Sequence, residues 1–157
     1  MNTYSLDTAT LDRLQDLLSI NIDSQKGFQE VSEHVKDAQL KQLFAEFSQK
    51  RAHNAAELRQ AISNAGSEPH ASGSVTGTLH RWWIDAKQAF SGASPESVLA
   101  EAERGEDSIK HTYEEALLHL SPTPARDLVE RQFQNVTEGH NRVKSLRESY
   151  KHRNPSD

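Results

Sequence analysis

Cysteine is absent from this chain of 157 residues, which excludes disulfides, thiol catalysis and cysteine-ligated metals. No run approaches the roughly 18 apolar residues that a bilayer-spanning helix needs, and the N-terminus lacks a charged region followed by an apolar one. A cytoplasmic protein is the expectation. Clusters of Lys and Arg are also missing: the net charge of −5 is spread over faces of mixed sign, so no nucleic-acid partner is expected. Gly-rich phosphate loops, nucleophile elbows and Glu-bracketed zinc motifs do not occur. Seven glycines and five prolines fall mostly in three clusters, and the segments between them run long without a breaker. No segment alternates in the manner of a strand.

What is present is helical periodicity. Leu11, Leu14, Leu18, Ile22, Phe28 and Val35 keep a helical spacing, with Leu17 and Val31 widening the face, so a first helix is expected over about 7–36. Asp37 is a good N-cap for a second over about 38–65, carrying Leu40, Leu43, Phe44, Phe47, Ala55, Leu58 and Ile62. Gly66 suits the position after its last turn, with Pro69 beyond. A short helix over about 75–90 places Val75, Leu79, Trp82, Trp83, Ala86 and Phe90 on one side. Ser94-Pro95-Glu96 reads as N-cap and Pro at the first helical position of a helix over about 95–120. Ser121-Pro122-Thr123-Pro124 turns the chain into a last helix over about 124–150, leaving a frayed polar tail over 151–157. The fold class expected is all-α: a single-domain four-helix bundle of two antiparallel hairpins, with a short extra helix in the long crossover connection.

Polar residues interrupt the apolar stripes. At 100° per residue, Asn21 falls near the centre of the first stripe with Gln25 beside it, whereas Asp23 and Glu30 point to solvent. Arg51 and Asn54 turn inward on the second helix and His53 outward. Glu106 lies in the stripe of Ala102 and Tyr113. The last helix has two seams, one of Val129, Phe133, Val136, His140, Val143 and Tyr150, the other of Leu128, Gln132, Asn135, Gly139 and Leu146. Counted from the turns, Asn21, Gln25, Arg51, Asn54, Glu106 and His140 gather near mid-height. Burying such groups is costly unless they are paired, and Arg51 offers a fork of donors to the Glu106 carboxylate. Two readings stay open: a structural polar network of Asn21, Gln25, Arg51, Asn54, Glu106 and Tyr113, or a metal or substrate site drawn from Glu106, His140 and His53.

A Glu with an aromatic seven residues later marks the first and third helices of the ferritin-like superfamily, and Gly105-Glu106 with Tyr113 resembles that pattern. Asn21 with Phe28 resembles it in spacing, with an amide in place of the carboxylate. The superfamily carries Glu-x-x-His on the second and fourth helices. Here Arg51 and Asn54, aligned through Ala55 and Leu58, stand in place of that Glu and His, and Thr137 with His140 keeps only the His. More narrowly, the chain resembles a bacterial family of ferritin-like four-helix-bundle proteins known as a domain of unknown function. The residues that carry this are Asp23 through Phe28, Gly73-Ser74 to Trp82 with Leu79-His80-Arg81, Glu103-Arg104-Gly105-Glu106-Asp107, and Val129-Glu130-Arg131-Gln132.

The resemblance implies a stress-associated or metal-related bundle and transfers no catalytic residues. A di-iron centre needs several carboxylates, and Arg51 puts positive charge where cations would sit. No cofactor is therefore expected, the alternative being a single transition metal or a degenerate di-metal site. The protein is expected to be non-enzymatic and to form homo-oligomers, a two-fold dimer before others. Trp82 and Trp83 are the expected interface, with an unidentified protein partner or a membrane surface as further possibilities.

Overall fold

The computed structural model describes residues 6–69 and 94–153. Among these are four helices and no strand: α1 (Thr8–His34), α2 (Ala38–Asn64), α3 (Pro95–Leu118) and α4 (Pro124–Arg153). The expected helix over 75–90, with Trp82 and Trp83, lies outside the described residues, as does the tail beyond Arg153.

Local chemistry sets the helix ends. Asp7 caps α1 by accepting from the Thr10 amide at 2.7 Å. Hydrogen bonds from the Thr10 hydroxyl and amide hold the Asp7 carboxyl below its usual range. The first helix ends at His34, short of the expected 36, because Val35 turns extended and drops its side chain into the core. Asp37 Oδ1 then caps α2 through the amides of Gln39 and Leu40. Gly66 takes the left-handed conformation with φ 82°, and the Ser67 amide returns to the Ile62 carbonyl, closing off α2. Ser94 caps α3 with Pro95 behind it. That helix stops at Leu118 because the Arg126 guanidinium takes the carbonyls of Leu117 and Leu120, each at 2.6 Å. The last helix runs three residues past the expected 150. Tyr150 is buried there and donates its hydroxyl to Asp37 Oδ2 at 2.8 Å, anchoring the final turn.

The Tyr150–Asp37 bond also reports topology, since it sets the end of α4 beside the α1–α2 turn. At the opposite end Leu6, Asn64 and Pro124 line one cavity, so the start of α1, the end of α2 and the α3–α4 turn lie together. Each hairpin is antiparallel, so residues 69 and 94, the described ends that the connection joins, lie at opposite ends of the bundle.

A single apolar core fills the middle. Phe28 stacks on Phe44 at 5.9 Å between centroids and meets Phe47 edge-on at 5.3 Å. The two seams of α4 prove to be flanks of one wide stripe. Val129, Val136 and Val143 from the first are buried along with Gln132 and Gly139 from the second. Phe133 and His140 are half-buried, and Asn135 is exposed. A corner helix has two neighbours: on one side of α4, His140 and Arg147 reach α3, and on the other, Arg131 and Arg142 reach α2.

Candidate functional site

Four polar side chains or backbones, one on each helix, close a ring of hydrogen bonds in the core. Asn21 Nδ2 donates to the Tyr113 hydroxyl at 2.7 Å, and to the Leu17 carbonyl at 2.7 Å. The Tyr113 hydroxyl donates to Gln132 Oε1 at 2.8 Å. Gln132 Nε2 donates to the Asn54 carbonyl at 3.2 Å, and Asn54 Nδ2 returns to Asn21 Oδ1 at 3.3 Å. Donation runs one way round the ring, and from Asn54 Nδ2 through Asn21, Tyr113 and Gln132 each bond polarises the next. Burial pushes the Tyr113 phenol up to about 12, the strongest opposing influence being its bond with Asn21. A phenol so placed is a neutral donor at any physiological pH, which excludes it as a general base.

Roughly 10 Å along the bundle, two helical turns away by the seven-residue spacing of Tyr113 and Glu106, lies a second polar layer. Glu106 is wholly buried, and Arg51 is 2% exposed. One nitrogen, Arg51 Nη2, donates to both carboxylate oxygens, each at 2.7 Å. The guanidinium carbon sits 5.9 Å from the centroid of Phe28, near enough for a cation–π contribution. Arg51 Nε is buried without a hydrogen-bond partner among the described residues. Gly139 makes room for the carboxylate: a Cβ there would stand 3.2 Å from Glu106 Oε2 and 3.6 Å from the Phe47 ring. The seven-residue spacing thus places an amide and a phenol in one layer, and an aromatic and an ion pair in the other.

The residues singled out by sequence divide clearly. Asn21, Asn54 and Tyr113 enter the ring, and Arg51 and Glu106 form the ion pair. Gln25 is half-buried and contributes only its backbone carbonyl, which accepts from Ser48 at 2.9 Å. Asp23 and Glu30 are half-buried. His140 does not face Glu106: its Nε2 lies 2.5 Å from Asp107 Oδ1, and its Nδ1 faces Asn141 Oδ1 at 3.5 Å. His53 is exposed, 3.7 Å from Glu57 on its own helix. Gln132 and Gly139 are the two site residues that the network expected from sequence lacks. Their seven-residue spacing, matching that of Tyr113 and Glu106, was the available signal.

Among the described residues, no group of three or more His, Asp or Glu side chains is arranged to hold a metal ion. The two layers offer amides, a phenol and a carboxylate already neutralised by a guanidinium, a donor set that does not fit a di-metal centre. The ring links all four helices through side-chain and backbone hydrogen bonds, an arrangement able to hold them in register.

The chain matches the family described as a domain of unknown function, DUF2383, over residues 9–119. It belongs to that family. The match takes in α1, α2 and α3, and with them Asn21, Arg51, Asn54, Glu106 and Tyr113, and ends before α4. A comparison with curated proteins finds no match. No described helix is long and apolar enough to cross a membrane.

Proposed function

We propose that this member of DUF2383 is a ferritin-like bundle that has replaced core metal chemistry with an internal cation, and that it acts without catalysis, through its surface. The observation that carries the reading is the Arg51 guanidinium bound to both oxygens of a wholly buried Glu106. Two antiparallel hairpins whose linked ends, residues 69 and 94, lie at opposite ends of the bundle fit the arrangement of ferritin-like folds, which supports the frame. In such frames, carboxylates and histidines from facing helices hold the cations. Here Arg51 supplies the positive charge itself, and Asn21 and Asn54 supply neutral amides tied into the ring.

A divalent cation entering this core would have to displace Arg51 from Glu106 or sit beside it, and like charges in a medium of low dielectric repel strongly. Neither His140, held by Asp107, nor His53, on the outside, offers a compensating ligand. The remaining role is that of an interaction protein, of the stress-associated kind that the ferritin-like resemblance implies, in the cytoplasm.

The test is elemental analysis of protein purified without chelators, with thermal melts in added Zn²⁺, Mn²⁺ and Fe²⁺. The expected result is well under one transition metal per chain and unchanged melting. One bound metal per chain, lost in Glu106→Ala, would overturn the reading.

A further inference from the structure

The face made by α2 and α4 carries a pattern of charge that fits a second copy of itself. Two ion pairs bridge these helices, Glu46 with Arg142 and Glu57 with Arg131, and in both the acid is on α2 and the base on α4. Midway between the bridges the order is reversed, with exposed Lys50 on α2 and exposed Glu138 on α4 at matching height. A hollow lies at each end of the face. One of about 390 Å³ is floored by Leu6, Ala61 and Leu128. The other, about 460 Å³, reaches Leu43 and Leu146 among glutamines and serines.

We infer that this face is a homodimer interface, closed by a two-fold axis parallel to the bundle axis. Such an axis keeps every residue at its own height and exchanges left for right, so α2 of one copy lies over α4 of its partner. Each charge then meets its opposite: Glu46 faces an Arg142, Lys50 a Glu138, and Glu57 an Arg131. Each hollow meets its own copy, the apolar floor of Leu6, Ala61 and Leu128 over the same floor and the mixed one over the same mixed one. An axis perpendicular to the helices would instead lay α2 over α2 and bring Glu46 against Glu57, a repulsive arrangement.

The dimensions also suffice. Helix α2 is 27 residues long, about 40 Å, and two helices side by side are about 20 Å wide, giving about 800 Å². That is what each partner contributes to a standard interface. The described residues leave the face open, since Gln42, Lys50, Arg131, Glu138 and Arg142 are all exposed. The inference stands independently of whether the core binds metal.

Sedimentation equilibrium of the full chain tests it. The expected mass for the wild type is twice that of the chain, with dissociation promoted by salt above the roughly 0.1 M at which surface charges still act over about 10 Å. Glu46→Arg with Glu57→Arg sets base against base and is expected to weaken dimerisation by more than about a hundredfold; Arg131→Glu with Arg142→Glu does the same with acids. Mixing the two double variants in equal amounts restores opposite charges at both places and should return a heterodimer. Circular dichroism confirms that each variant is helical, and the salt dependence of the wild type supplies a reading that needs no variant. A monomeric wild type, a dimer indifferent to both reversals and to salt, or folded variants that do not associate on mixing would each overturn the inference.

Discussion

Arg51 and Glu106 set the energetic problem of the core. Neither is worth burying alone, and a pair taken out of water regains in mutual attraction only about what it loses in solvation. Removing one partner is a different matter. Arg51→Ala leaves a carboxylate without compensation and should cost about 3–5 kcal/mol in urea unfolding, and Glu106→Leu should cost a similar amount. The combined Arg51→Met, Glu106→Leu replacement is expected within about 1 kcal/mol of the wild type, or above it. Single changes costing under about 1 kcal/mol would mean that water reaches the pair. Tyr113 behaves differently because its neutral form is the stable one in the fold. An unfolded chain releases the phenolic proton near pH 10, whereas folded Tyr113 keeps it to about 12. Its contribution is therefore complete below pH 10 and falls as pH rises through that window, the loss reaching about 2–3 kcal/mol near pH 12. Ultraviolet titration of the wild type against Tyr113→Phe should show Tyr113 ionising only near pH 12 or with loss of helix; ionisation near pH 10 in folded protein would contradict its burial. These residues were legible from helical phase alone, except for Gln132 and Gly139, where two seams competed.

That competition was resolved at the scale of the element. Periodicity describes one helix against an average interior, but α4 sits at a corner and meets two neighbours with different demands. Against α3 it offers His140 and Arg147 to acidic partners, against α2 it offers Arg131 and Arg142, and between the two it sets Gln132 and the bare backbone at Gly139. The helix ends were better determined, because caps are local. Asp7, Asp37, Gly66 and Ser94-Pro95 act where the sequence puts them. The end of α3 was not local, since it depends on Arg126 reaching back across the turn to the Leu117 and Leu120 carbonyls. Arg126→Ala leaves both carbonyls without that charged donor and should lower stability by about 1–2 kcal/mol. Hydrogen exchange checks the location: amides near 114–118 should exchange faster while those of α1 do not change. Uniform acceleration along the chain would assign the loss elsewhere.

For the whole molecule, the sequence determined by itself that the chain is helical, that breakers divide it into hairpins, and that a few polar groups must be buried. Those conclusions rest on properties carried within a few residues: the period of apolar side chains, the preferences of caps, and the cost of burying a charge. Helical phase and charge suggested the Arg51–Glu106 pair, but tertiary structure alone decided the partners of Asn21, Asn54, Tyr113 and Gln132. Asn21 and Tyr113 are 92 residues apart in the chain, Arg51 and Glu106 are 55 apart, and Gln132 is 78 from the Asn54 carbonyl that it binds. No local pattern encodes such a meeting, because it depends on how two hairpins are set side by side. In one dimension the single carboxylate at Glu106 left a metal site open beside the structural lock with Arg51. Its partner in three dimensions, a guanidinium already carrying the compensating charge, is what favours the lock.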